Sequence, residues 1–239
     1  METKLPPGQH RTKGFPRFGT HLHRPPPAIP AKPAIEICGA VTEPFALPLA
    51  DLSGLPRTEL TADFHCVAGW SATDLRWEGV AFETFYRRVI EPALEPGAAI
   101  THLVFGGLDG FQSSVLIEDA LAEDVLIADR LDGSPLGSDH GAPARLVSPS
   151  QYGYISTKHL CRVEARTSEP TPDKLGAASS FAQLSLRSPF IRRHPRARVW
   201  EEERNPALPA WSLRPIYRLL IPPFMFLSAR GSREQGSDG

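Results

Sequence analysis

The sequence is short of cysteine, of surplus charge and of long hydrophobic runs, and each shortage excludes a class of protein. Three cysteines occur, at positions 38, 66 and 161, without a CxxC pair, which excludes a disulfide-stapled secreted domain. The 26 Lys and Arg residues nearly balance the 27 Asp and Glu residues, so the strongly basic surface typical of nucleic-acid-binding proteins is missing. The longest apolar run, 219–227, is interrupted by two prolines and falls short of the roughly 20 residues of a membrane-spanning helix.

The first residues, METKLPPGQHRTKGFPRFG, contain neither the apolar core of an export signal nor a twin arginine. Together with three unpaired thiols, this start predicts a cytoplasmic location. The 239 residues, of which 41% are hydrophobic, are enough for one domain with a sizeable core or for two small ones.

Proline, with 25 residues, is concentrated near the two ends of the chain. Because proline fixes φ and donates no backbone hydrogen bond, residues 16–33 can form neither a long helix nor a central strand. We therefore expect an extended arm over 1–33, a catalytic domain over 34–170, and a C-terminal extension over 171–239 that packs on the domain and ends in a disordered tail.

Hydrophobic periodicity between the ends predicts short strands mixed with short helices. The pattern indicates strands from Ala34, over Thr58 to His65, and over Ile100 to Phe105, with one amphipathic helix over Ala81 to Ile90 and a loop-rich stretch over 66–80. No regular strand–helix–strand rhythm is present, so we predict an α+β fold with mixed sheets and short helices.

Cys66 is the residue that bears most directly on chemistry. It follows a predicted strand at the point where a loop begins, which is a position from which a thiolate can bind a soft metal or act as a nucleophile. The alternative is that it is a small, buried and inert side chain. Cys38 and Cys161 lie within apolar, strand-like runs, where that alternative is stronger.

Two further segments have the composition of an anion site. GAPARLVSP places Arg145 on a short predicted strand behind a Gly-Ala-Pro turn, where a guanidinium can bind a phosphate with two hydrogen bonds. YGYISTK then brings Ser156, Thr157 and Lys158 together, and hydroxyl, backbone N–H and ammonium groups suit a phosphate. A surface arginine, a polar turn and a solvated lysine are the plain alternatives.

In combination, these segments resemble a known family. The strings DFHCVAGWS, WEGV, LDGFQSSVLIEDA, LIADRLDGSPL and HGAPARLVSPSQYGYISTK follow one another as they do in the oxidoreductase molybdopterin-binding family, over roughly Phe15 to Arg166. That family includes sulfite oxidases and protein-methionine-sulfoxide reductases, and the string CVAGWS is closer to the reductase branch. The resemblance implies the sulfite-oxidase-type fold and a molybdenum–molybdopterin cofactor.

The resemblance also implies roles for individual residues. Cys66 matches the cysteine that binds molybdenum through sulfur, and His140 matches the residue beside the pterin, where the reductase branch has Asn. Arg145 matches the arginine that follows. Further matches are Ser156, Thr157 and Lys158 to the phosphate loop, and Thr20 and His21 to the N-terminal arm that covers the cofactor.

The chain departs from the sulfite oxidases at two places. Gly19 precedes Thr20, and Ala68, Gly69 and Trp70 follow Val67, where arginines would hold a sulfite dianion. We therefore do not expect sulfite as the substrate. No haem-binding segment is visible, so we expect a separate electron-transfer partner and a small-molecule or oxidised-residue substrate.

Two other functions stay open at this point. The chain could be a cofactor-free binding or scaffold protein that keeps the fold. It could also bind zinc through His65, Cys66 and distant histidines such as His21 and His140, although zinc sites usually show tighter local spacing.

Overall fold

The structure, a computed structural model, describes residues 4–18, 25–170 and 193–233. Short strands dominate these residues. In chain order they are β1 (His10–Arg11), β2 (Ala34–Gly39), β3 (Phe45–Pro48), β4 (Thr58–His65), β5 (Trp70–Ala81), β6 (His102–Gly107), β7 (Gln112–Leu116), β8 (Leu126–Leu131), β9 (Ser134–Pro135), β10 (Arg145–Val147) and β11 (Leu160–Arg166).

The strands form two sheets. In the first, β5 pairs antiparallel with β4 and with β8, β8 pairs with β9 and β10, and the short β1 runs parallel to the start of β5. In the second, the order is β3-β2-β11-β6-β7, and only the pair of β11 with β2 is parallel. The pairing of β1 matters for the site because it fixes the N-terminal segment beside the strand that follows Cys66.

Helical segments are short except at the C-terminal end. They are α1 (Phe82–Phe85), which continues as a π-helical turn (Tyr86–Ile90), α2 (Ile117–Ala120), 3-10 turns at Leu49–Gly54, Glu91–Ala93 and Ser138–His140, and α3 (Ala210–Arg233). Three prolines lie within α3. None of the helices in the described ranges is both long and apolar enough to cross a membrane.

The buried apolar side chains form two clusters. The larger takes residues from both sheets, such as Ile37, Phe105 and Ile127, and so holds the sheets together. The smaller surrounds the start of β5 and contains Cys66 and Trp77, with the rings of Phe15 and Phe18 packed against it. The candidate site therefore lies in a second, smaller core that the N-terminal arm helps to build.

The predicted α+β class is confirmed, and most predicted strands are present. The loop-rich interpretation of 66–80 is wrong, because Trp70–Ala81 is a twelve-residue strand. Its buried positions, which include Trp70, Trp77 and Val80, pack on both sides of the strand, so the simple alternation that indicates a strand is absent. The pattern of residues 115–124 favours a short helix, but the helix is confined to Ile117–Ala120, since residues 115 and 116 belong to the strand Gln112–Leu116.

Candidate functional site

Cys66 lies in the tight turn that joins β4 to β5. Its backbone N–H donates to the carbonyl of Trp70 at 2.8 Å, and its own carbonyl accepts from the N–H of Gly69 at 2.9 Å. Gly69 has φ +105°, a conformation that favours glycine. The turn places the thiol at the end of the first sheet, where its residue is 8% exposed.

The N-terminal segment is tied to this turn by side chains. Gln9 donates from Nε2 to the carbonyl of Cys66 at 3.1 Å and accepts from the hydroxyl of Ser71 at 3.0 Å. The same hydroxyl lies 2.8 Å from Nδ1 of His65. Gln9, which nothing in the sequence singled out, therefore connects the cysteine turn to β1 and to His65.

Burial dominates the electrostatics of the thiol. It raises the pKa of Cys66 to about 12, while the positive charges of Arg204 and Lys158 act in the opposite direction. A metal-binding cysteine must lose its proton, and a bound metal ion itself supplies the driving force. The thiol is therefore inert until a cation or metal arrives, which suits a ligand better than a free nucleophile.

The loop before β10 brings His140 towards Arg145. Ser138–His140 forms a 3-10 turn, and Gly141 follows with φ +104°. A methyl group on Gly141 would lie 3.0 Å from Cβ of Lys158 and 3.2 Å from Cβ of Arg145. Glycine is thus required here for two reasons, the left-handed backbone and the close approach of both side-chain stems.

Arg145 is fully buried, at 0% exposure. Its guanidinium donates to three backbone carbonyls, those of His140 at 3.0 Å, Leu146 at 3.2 Å and Ser156 at 3.0 Å. It also lies within 5.9 Å of the centres of three aromatic rings, those of Phe15, Phe64 and Trp77. The side chain holds the two loops of the candidate site together and gives the site a positive charge.

The three residues of the predicted phosphate loop come together next to it. The hydroxyl of Ser156 accepts from the N–H of Ser148 at 3.1 Å, and that of Thr157 lies 2.7 Å from the hydroxyl of Ser113. Lys158 donates from Nζ to the carbonyl of Asp139 at 2.6 Å. The hydroxyl of Ser156 keeps its own hydrogen for a ligand, and the ammonium group of Lys158 keeps further hydrogens, whereas the N–H of Thr157 already donates to the carbonyl of Ile155 at 2.7 Å.

Positive charge is concentrated and poorly compensated in this site. Burial, followed by the charge of Arg145, lowers the pKa of Lys158 to about 7, and burial lowers that of Arg145 to about 9. Burial and both cations lower the pKa of His140 to about 4. Among the described residues neither cation has a salt bridge to a carboxylate, whereas Arg17 lies 3.5 Å from Asp139. A bound anion would compensate these charges.

The N-terminal arm covers the same site. Phe15 stacks on the ring of His140, with centroids 4.6 Å apart and planes at 9°, and Phe18 packs edge-on against Trp70. Buried ring nitrogens of Trp70, Trp77 and His140 have no hydrogen-bond partner. Thr20 and His21, which were predicted to contact the cofactor, lie outside the described residues.

The profile of the family described as the oxidoreductase molybdopterin binding domain matches residues 22–173. The chain belongs to this family. It is thus an oxidoreductase with a molybdopterin-binding domain, as the sequence predicted, and its mixed sheets with short helices agree with that fold.

The chain is similar to two curated proteins and to one solved structure. The uncharacterized oxidoreductase YuiH of Bacillus subtilis is 34% identical over 158 residues, which are 66% of this chain and 76% of that protein. The protein-methionine-sulfoxide reductase catalytic subunit MsrP of Xanthomonas campestris is 29% identical over 59% of the chain, which spans only 46% of the reductase. The sulfane dehydrogenase SoxCD of Paracoccus pantotrophus is 24% identical, with a TM-score of 0.49 over 57% of this chain and 38% of that one.

The residues present fit the molybdopterin cofactor that the family's description names. A buried thiol, the buried Arg145 and the half-buried Lys158 lie around one small core, and among the described residues neither cation has a carboxylate partner and three buried ring nitrogens have no hydrogen-bond partner. In the described ranges no three His, Cys, Asp or Glu side chains form a group that could hold a metal ion, so the zinc alternative gains no donor set there.

Proposed function

We propose that this member of the family is a molybdenum–molybdopterin oxidoreductase that carries out two-electron oxygen-atom transfer, with Cys66 as the protein ligand of the metal. The observation that carries the proposal is the proximity of a buried thiol to the buried Arg145 and the half-buried Lys158, neither of which has a salt bridge to a carboxylate among the described residues. Lys158 and Arg145 need a counter-charge, and the phosphate of the pterin cofactor would supply it.

The chain's own residues would divide the work as follows. The Nζ group of Lys158 and the hydroxyl hydrogen of Ser156 bind the phosphate, with Thr157 beside them, and His140 faces the pterin. Arg145 positions both loops through its three carbonyl contacts and adds its charge without binding the phosphate with two hydrogen bonds. Cofactor contacts from Thr20 and His21 stay predictions of the resemblance.

The cofactor supplies the oxygen-atom and electron chemistry when it is bound. In the direction that the reductase's name describes, a sulfoxide takes up two electrons and two protons and yields a sulfide and water. Those electrons come from a separate electron-transfer partner. The substrate is a small molecule or an oxidised residue of a protein, and sulfite is disfavoured because no arginine stands at the sequence positions directly before Thr20 or at Ala68, Gly69 and Trp70.

The test is the metal content of the purified full-length chain. Molybdenum measured by mass spectrometry and pterin fluorescence after denaturation should each approach one per chain in molybdate-supplied cells. Cys66→Ser should bring molybdenum close to zero while the melting curve changes little, because serine is nearly isosteric with cysteine.

Cys161→Ser is the matched control, since its half-buried thiol lies on β11, away from the turn, and should leave the metal content unchanged. A folded wild-type chain without molybdenum or pterin would refute the proposal and favour a cofactor-free scaffold. Equal molybdenum in Cys66→Ser and Cys161→Ser would refute the role of Cys66 alone.

A further inference from the structure

A second candidate site lies next to the turn that carries Cys66. A cavity of about 740 Å³ opens between this turn and α3, lined by Gly8, His10 and Ala68 on one side and by Pro215 and Leu219 of the helix on the other. This volume is within the range of sites that bind small molecules. Its helical wall comes from residues beyond the family match, which ends at residue 173.

Three guanidinium groups, those of Arg204, Arg214 and Arg218, line this cavity, and no Asp or Glu does. The nearest compensating carboxylate is Glu202, which accepts from Nε of Arg214 at 2.9 Å and lies 3.8 Å from Nε of Arg204. Glu202 is therefore shared by Arg214 and Arg204, and Arg218 has no salt bridge to a carboxylate in the part of the chain that the structure describes. The charge left over is positive, and the cavity is open to a ligand of the opposite sign.

Arg204 is the unusual member of this group. It is 1% exposed, yet its Nε has no hydrogen-bond partner. Its Nη1 donates to the carbonyl of Val67, and its guanidinium lies 5.0 Å from the centre of the ring of Tyr152.

The guanidiniums converge on one point of the backbone. A methyl group on Gly8 would lie 2.9 Å from Nε of Arg214 and 3.1 Å from Nη2 of Arg204. Gly8 in turn lies against the cysteine turn, since a methyl group on Gly69 would be 3.0 Å from its carbonyl oxygen. Arg204 and Arg214 thus pack against Gly8, and Gly8 packs against the turn that carries Cys66.

We propose that this cavity binds a small organic anion, with a carboxylate or sulfonate on Arg204, Arg214 and Arg218 and an apolar stem against Ala68, Pro215 and Leu219. The arginines supply donors in the fork geometry that such groups accept. The apolar wall favours a ligand with a hydrocarbon portion over a bare inorganic ion. Its occupant would lie beside the turn that carries the proposed metal ligand.

The experiment is calorimetric titration of the full-length chain with hexanoate, hexanamide and sulfate at constant ionic strength. Hexanoate should bind at least tenfold more tightly than hexanamide, which has the same stem without the charge, and more tightly than sulfate, which has charge without the stem. Arg218→Gln, an exposed substitution, should weaken hexanoate at least fivefold and leave hexanamide unchanged.

Arg88→Gln is the matched control, because Arg88 is an exposed arginine on the π-helical turn and does not line the cavity. Equal affinity for hexanoate and hexanamide, tighter binding of sulfate, or equal losses in Arg218→Gln and Arg88→Gln would each overturn the proposal. Molybdenum measured on the same samples separates the two proposals. A metal-free chain that binds hexanoate refutes the cofactor and not the cavity, and a loaded chain that does not bind hexanoate refutes the cavity alone.

Discussion

Arginines are used in opposite ways in two regions of this molecule. In the family-matched body, Arg145 is enclosed, and three backbone carbonyls take its hydrogen bonds. On α3, outside that match, Arg214 has one carboxylate partner and Arg218 is exposed at the rim of a cavity. The first holds loops in place for a cofactor, whereas the second group keeps donors available for a ligand that comes and goes.

The two regions also differ in how they are anchored. The loops that carry His140 and Lys158 are joined by Gly141 and Arg145 within a packed core. On α3, Leu213 is buried and Ile221 packs against the smaller core, whereas Trp211 and Leu219 are 73% and 78% exposed. A region built in this way can change between relatives without cost to the fold, and so it is the natural place for chain-specific recognition.

The largest expected effect on stability comes from Arg145→Ala. The carbonyls of His140, Leu146 and Ser156 would lose their donors inside the protein, and an unsatisfied buried acceptor is costly. We expect a loss of about 3 kcal/mol in the free energy of unfolding, or roughly 6–12 °C in Tm. Cofactor occupancy under limiting molybdate should fall as well.

Arg218→Ala supplies the comparison from the other region, and should change the free energy of unfolding by less than about 0.5 kcal/mol because its side chain is exposed. Thermal unfolding of both variants, with molybdenum measured before heating, checks the pair. Similar melting temperatures for the two would show that Arg145 is not the connection between the loops that its contacts describe.

A smaller effect is expected for Gly141→Ala. The new methyl group meets Lys158 and Arg145 at 3.0–3.2 Å, and φ +104° is unfavourable for alanine, so about 2–3 kcal/mol should be lost. Gly97→Ala is the control, since φ is +79° there but nothing lies within 4 Å, and backbone strain alone predicts about 1 kcal/mol. Chemical denaturation measures both values, and equal losses would mean that the contacts in the site contribute nothing.

Local signals were enough to predict the elements that carry the proposed cofactor residues. Thr58–His65 alternates and ends at Cys66, and a Gly-Ala-Pro turn precedes Arg145. What the residues would bind came from the order of several motifs, because each segment alone has a plain structural explanation. Their binding roles stay predictions.

Long-range contacts could not be predicted from local pattern. Gln9 reaches the carbonyl of Cys66 across 57 positions, and Arg204 reaches that of Val67 across 137. Neither residue stands in a motif, and both are placed by the pairing of β1 with β5 and by the path of the chain before α3. Three prolines also conceal α3, since proline normally interrupts a helix and here all three lie within one.

The smallest change in the free energy of unfolding is expected for substitutions on the exposed face of α3. This prediction tests whether α3 lies outside the packed core. The C-terminal extension was expected to pack on the domain, which would bury its large apolar side chains. Trp211 and Phe226 are instead exposed, while Leu213 is 2% exposed.

Leu219→Ala should therefore change the free energy of unfolding by less than about 0.5 kcal/mol, whereas Leu213→Ala in the same helix should cost about 2–3 kcal/mol. Urea unfolding of both variants decides the matter. A loss for Leu219→Ala as large as that for Leu213→Ala would mean that this face is covered in solution, by a second copy or by the chain itself, and that α3 belongs to the core after all.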